Sequence, residues 1–289
     1  MNVANETIHV AFAVDGSFAS LSCVAVESAI RHCQRDVHVH VLHDPEADRC
    51  FGPLRRVLKR LETEHTFHPI DPSCFAGLPV TDHVSLATYY RLAIARLIDE
   101  AVPRVIYLDA DLIVRDCLSL LADVPPHPSG IAAVPEPSDS SQRLGMTPET
   151  PYLNAGVLVM DLDTWRNNGV TETLFDIAEK HRDQLRFWDQ DVLALYLQGQ
   201  WQPLDRRWNC NHRCFFGQHR LSLPDDPAIV HFSGSGLKPW SPNVVHPYAD
   251  EFWQIADRLR RDGVRIDRPG KKNWWRRRME KLGIRRRAA

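Results

Sequence analysis

Nowhere do the 289 residues string together the roughly 18 apolar side chains that a membrane-spanning helix needs, so no span is expected. The opening stretch, MNVANETIHVAFAVDG, has no basic leader and only a short apolar run, so no secretory signal is expected either. Internal repeats and long linkers are also missing. The seven cysteines, at 23, 33, 50, 74, 117, 210 and 214, are odd in number and lack the spacing of a disulfide framework. That pattern fits reduced thiols and a cytoplasmic setting. Cys210-Asn-His-Arg-Cys214 is a single C-x3-C without a second pair, too little for structural zinc.

Charge is small in total and uneven in place. The net charge is -2, yet the 19 residues from Lys271 hold nine Lys and Arg against one acid, Glu280. The basic end therefore opposes an acidic remainder, which points to a polyanionic surface.

Apolar, β-branched runs at Thr7–Val14, Val37–Leu42, His65–Ile70 and Arg104–Asp109 read as strands. Helical stretches are expected at 18–35, capped by Ser17, at 53–64, and at 85–99, capped by Ser85. This alternation implies parallel pairing and an open α/β sheet covered on both faces. Later come apolar strands at 130–134 and 155–160, a Pro- and Ser-rich loop over 137–151 that reads as mobile, and helices near 171–183, 189–198 and 248–262. Residues 201–246 read as loop. One catalytic domain over 1–262 is expected, with a basic aromatic tail over 263–289.

Three Asp-x-Asp triplets occur where 25 aspartates would give roughly two by chance, so context has to separate them. Asp161/Asp163 precedes a helix, and capping explains it. Asp189/Asp191 opens a helix, where acids suit the dipole. Asp109/Asp111 ends the strand of RVIYLDADLIV, and residues two apart in extended chain share a face. Two carboxylates there form half of an oxygen-rich site for Mg²⁺ or Mn²⁺, with substrate phosphates completing it.

The ordered blocks FAVDGSFA (12–19), HVSLATYYRL (83–92), VIYLDADLIV (105–114), YLNAGVLVMDLDTWR (152–166), WDQDVL (188–193) and VHFSGSGLKPW (230–240) resemble glycosyltransferase family 8. The likeness is to its bacterial lipopolysaccharide galactosyl- and glucosyltransferases, and it runs from about residue 7 to the C-terminus. The resemblance implies a GT-A fold: a Rossmann-like nucleotide-binding sheet merged with an acceptor-binding half. It implies a retaining hexosyltransferase that uses Mn²⁺, or Mg²⁺, and a UDP-sugar, with a saccharide or glycolipid as acceptor. Carried over by position, Asp109, Asp111 and His231 would ligate the metal. Ala13, Asp15 and Ser17 (where relatives often carry Asn) would meet the nucleoside. Arg91 would lie near the donor sugar and His83 at a further donor-contacting position, with Asn154 where the backbone approaches ligand. Gly234 and Lys238 would hold the diphosphate, and Asp189 and Gln190 would stand near the anomeric carbon. Relatives place an aspartate after the strand 130–134, where this chain reads Pro135-Glu136, so Glu136 is the expected substitute.

Two other classes share some of these features. A nucleotidyltransferase would want a basic, glycine-rich phosphate loop, and FAVDGSFA has no Lys or Arg. A binding protein without turnover would keep the metal site. In the tail, Trp275, Met279 and Leu282 share one face of a possible helix over 273–287, with basic residues around them. That composition suits peripheral contact with an anionic membrane, and no nucleic-acid recognition module accompanies it.

Overall fold

The computed structural model describes residues 6–81, 85–216, 220–242 and 245–268. His83 and the tail helix expected at 273–287 lie outside the described residues.

Seven strands form the main sheet: β1 (Ile8–Ala13), β2 (Val37–His43), β3 (Glu64–Pro69), β4 (Arg104–Leu108), β6 (Ile131–Pro135), β7 (Leu153–Asp161) and β8 (Gln202–Pro203). β5 (Leu112–Val114) and β9 (Ile229–His231) pair as a separate ribbon. The main order is β3-β2-β1-β4-β7-β6-β8. β1 runs parallel to β2 and β4, and β2 to β3, as the strand–helix alternation implies. Beyond β4 the pattern breaks, because β7 is antiparallel to both β4 and β6. The sheet is therefore mixed, not parallel throughout.

Alternation along β1 and β2 sends Val10, Phe12, Val39 and Val41 to one face, in a core shared with the helices Ala19–His32, Gly52–Arg60 and Ala249–Arg258. The other face of the sheet, through Tyr107, Leu158 and Met160, packs with the helices Val170–Lys180 and Trp188–Leu197.

Four local expectations change. Residues 85–99 form a 3-10 helix, Leu86–Ala93, followed by one α turn, Ile94–Leu97. Neither Ser17 nor Ser85 caps its helix; both hydroxyls donate to Asp15 instead. The segment read as mobile over 137–151 is anchored, because Arg143 pairs with buried Asp191 at 2.7 Å and donates to the Gln184 carbonyl. The loop-like stretch 201–246 supplies β8 and β9, which are too short to show a period.

Candidate active site

The chain leaves β1 toward β2 on one side, while β4 lies on the other, so a crevice opens beyond their carboxyl ends. Ligands of open α/β sheets bind at such a switch point. Asp15 follows β1 and Asp109 follows β4.

Asp15 Oδ1 accepts from the Ser17 and Phe18 amides at 2.8 and 3.0 Å, and from the Ser17 hydroxyl at 2.6 Å. Its Oδ2 accepts from Ser85 Oγ at 2.6 Å. One carboxylate thus shapes the turn after β1 and ties it to the 3-10 helix. Two side chains of that helix reach inward. Thr88 donates to Asp189, and Arg91 stands between two acids. Arg91 Nη2 lies 2.8 Å from Asp109 Oδ1, and Nε lies 2.9 Å from Asp189 Oδ2. Nη1 donates to the Ala155 carbonyl at 2.5 Å, and the guanidinium covers the Tyr107 ring. Burial alone would lower the Arg91 pKa, but Asp109 and then Asp189 override it and raise it, so the cation is locked in. Arg91 is not a solvated helix residue: only 5% of it is exposed.

Asp189 is the counterpart. Burial pushes its carboxyl up to about 6, against the pull of Arg91 and Thr88. The Arg91 Nε–H is directed to the Thr88 carbonyl at 3.1 Å, so Asp189 Oδ2 is buried without a well-directed donor of its own. Next to it, Gln190 Oε1 accepts from the Ala155 amide at 3.0 Å.

The ribbon completes the centre. Antiparallel pairing sets His231 opposite Leu112, and the Phe232 amide donates to the Asp111 carbonyl at 2.8 Å. His231 therefore lands beside Asp111, with Nε2 3.2 Å from Asp111 Oδ1 and 3.5 Å from Asp109 Oδ2. The turn around Gly234, whose φ is +89°, brings Lys238 Nζ onto Asp111 Oδ2 and, at 2.8 Å, onto the Phe232 carbonyl. Burial would raise the Asp111 pKa, but Lys238 and His231 outweigh it and lower it. The like charges flanking Ala110 are thus neutralised from two sides, Asp109 by Arg91 and Asp111 by Lys238.

One ligand atom from each of Asp109, Asp111 and His231 lies within 4.8 Å of the others. Two further features suit a divalent ion there. His231 Nδ1 is 3.0 Å from Asn209 Oδ1, so Nδ1–H donates there and Nε2 is the nitrogen turned to the carboxylates, which a cation would meet in place of the proton that Asp111 now favours. At Gly156 a Cβ would lie 2.2 Å from His231 Cε1 and 2.9 Å from Asp109 Oδ2, so no side chain fits where the ring rests. Two carboxylates and one imidazole fit a divalent cation.

Behind His231 runs a buried polar chain. Asn209 Nδ2 donates to Asn154 Oδ1 at 2.7 Å, and Asn154 Nδ2 donates to Glu136. Glu136 also holds Arg213 at 3.0 Å and Asn211 at 3.3 Å. The expected substitute for the missing aspartate is therefore tied into the wall of the site, not extended toward a sugar. Tyr107, whose hydroxyl donates to Asp109 Oδ1 at 2.9 Å, and Thr88 and Asn209 were not singled out from the sequence. Tyr107 was recoverable by strand alternation from Asp109. Cys210 and Cys214 gain no third Cys, His or acidic ligand among the described residues.

A model of the family described as glycosyl transferase family 8 matches residues 9–243. General stress protein A of Bacillus subtilis is 34% identical over 206 residues, covering 65% of this chain and 70% of the relative. The lipopolysaccharide 1,2-glucosyltransferase of Escherichia coli K12 is 24% identical over 268 residues, covering 87% and 78% of the two chains. The solved galactosyltransferase LgtC, in complex with donor and acceptor sugar analogs, superposes with a TM-score of 0.79 at 26% identity, over 87% of this chain and 96% of that one. A family match across most of the length, joined to this sheet and crevice, shows that the chain belongs to glycosyl transferase family 8 and has its GT-A fold.

Proposed function

We propose that the protein transfers a hexose, galactose or glucose, from a UDP-sugar to a saccharide or glycolipid acceptor with retention of anomeric configuration, in the synthesis of lipopolysaccharide or another surface glycan. The observation that carries this reading is the convergence of Asp109, Asp111 and His231 under Lys238, at the crevice beyond β1 and β4. The galactosyltransferase and glucosyltransferase relatives support the choice of sugar.

Asp109, Asp111 and His231 would hold Mn²⁺, which when bound supplies Lewis-acid stabilisation of a departing diphosphate. The chain's own residues do the rest. Ala13, Asp15 and Ser17 would receive the nucleoside, and His83 would contact the donor. The Gly234 turn and Lys238 would meet the diphosphate, since the ammonium that now neutralises Asp111 becomes available when a cation takes that carboxylate. Arg91 fixes Asp109 and Asp189 relative to each other. Asp189, whose Oδ2 lacks a well-directed donor, would accept a sugar hydroxyl. Asn154 acts through Asn209 on His231. Retention by double displacement would need a nucleophile at Gln190, whose Oε1 is bound to the Ala155 amide. Same-face attack guarded by the departing phosphate fits better.

Incubation with UDP-galactose, UDP-glucose and UDP-N-acetylglucosamine, with and without Mn²⁺, tests this through UDP release. Metal-dependent release from a hexose donor is expected; inertness toward all three would leave a binding protein or another donor. The tail 271–289 is proposed to touch anionic membrane. Liposome sedimentation of a chain lacking it checks this, since unchanged binding would refute it.

A further inference from the structure

The sheet face opposite Val39 and Val41 carries a second cluster, toward the amino ends of the strands and away from the crevice. His38 and His40 alternate onto that face of β2, and parallel register pairs His9 of β1 with His38. We propose that His9, His38 and His40 form a second metal site, for a borderline divalent ion such as Zn²⁺ or Co²⁺, separate from the centre at Asp109, Asp111 and His231.

The three histidines each place a ring nitrogen within 4.8 Å of the other two. His9 Nδ1 and His40 Nε2 share a hydrogen bond at 3.0 Å, so the two nitrogens already lie near the about 3.3 Å spacing of ligands on one tetrahedral zinc, and ligation would replace the proton between them. A His-x-His strand with a third imidazole from its neighbour gives three nitrogens and leaves one position open. Three imidazoles without a carboxylate select zinc-like ions over the hard cations that suit the Asp centre. An outer partner is also in place: His40 Nδ1 is 3.0 Å from His68 Nε2, which orients the His40 ring.

The rings are also held in the neutral form. Burial pushes His40 down to about 2, and burial also lowers His9, His38 and His68. Neutral imidazole is the form that binds metal. His9 and His38 are only partly buried, so an ion has a way in. Two movements are required: the hydrogen bond between His9 and His40 must open, and His38 must turn. The His38 and His40 rings stack 4° from parallel with centroids 4.4 Å apart, and lone pairs lying in parallel planes cannot meet at one ion. His38 must turn about Cβ–Cγ, giving up its 2.9 Å contact with Thr66 Oγ1.

The test is Co²⁺ titration of the full chain, read by visible absorption and by bound equivalents, followed by Zn²⁺ displacement. Whatever the Asp centre takes up, His38→Gln should remove one equivalent and the tetrahedral absorption band. Asp111→Asn should leave that band in place. His9→Gln, at another partly exposed position, repeats the loss if His38→Gln disturbs folding, which circular dichroism monitors. Release of UDP from donor should be unchanged in His38→Gln. Equal Co²⁺ uptake by wild type and both histidine variants would overturn the proposal, as would loss of the band in Asp111→Asn.

Discussion

Asn209 reaches no carboxylate of the Asp centre, yet it decides which nitrogen of His231 faces it. Removing such an outer partner typically costs 10–100-fold in metal affinity. Asn209→Ala should therefore raise the Mn²⁺ dissociation constant by about that factor, measured by calorimetry, while circular dichroism stays unchanged. A shift under twofold would mean that packing against Gly156 suffices to hold the ring. At this scale the sequence was uneven. Asp109 and Asp111 were legible because a strand fixes the direction of residues two apart. Asn209 was not, because it lies in a stretch without a period and works through a neighbour brought in by the fold.

Among elements, the three Asp-x-Asp triplets show how one pattern serves different ends. Asp161 accepts from the Thr164 amide at 2.8 Å and caps the helix Leu162–Asn167, as its position suggested. Asp109/Asp111 flanks the centre. Asp189/Asp191 opens the helix Trp188–Leu197 but divides its work. Asp191 is wholly buried, bound by Arg143 and the Tyr152 hydroxyl at 2.7 and 2.6 Å and by the Arg186 and Phe187 amides. Breaking a buried pair by removing one partner costs on the order of 3–5 kcal/mol. Asp191→Ala should lose about that much stability in urea, with Asp189 and Gln190 displaced as a result. Asp189→Asn, by contrast, should lower kcat with far less loss of stability. The dipole argument located these acids without separating their roles, because the separation comes from Arg143 and Arg91, on distant segments.

For the molecule as a whole, the buried histidines weaken the fold in acid, while Asp189, raised to about 6, works the other way. His246 sits among Phe215, Phe216 and Phe232, and burial lowers it from 6.5 to about 4. The unfolded chain therefore takes up a proton between pH 6.5 and 4 that the folded chain refuses. Stability present above pH 6.5 is lost through that window, by up to about 3 kcal/mol from this residue. The lowered histidines of β1 and β2 add in the same direction. Between pH 7 and 5 the urea midpoint of the wild type should fall relative to that of His246→Gln. The parallel half of the sheet was readable from strand–helix alternation. The antiparallel half was not, because β6 and β7 are covered on both faces and appear simply as apolar runs.

The ribbon of β5 and β9 joins segments made far apart in time. As the chain emerges from a ribosome, Asp109 and Asp111 appear well before Ile229, Val230, His231 and the lysine beyond them. Until that last strand docks, the acids have Arg91 alone as counter-charge and lack an imidazole. The nascent protein would therefore lack the proposed metal centre until nearly all of the main sheet has formed, and with it any nucleotide that the cation would anchor.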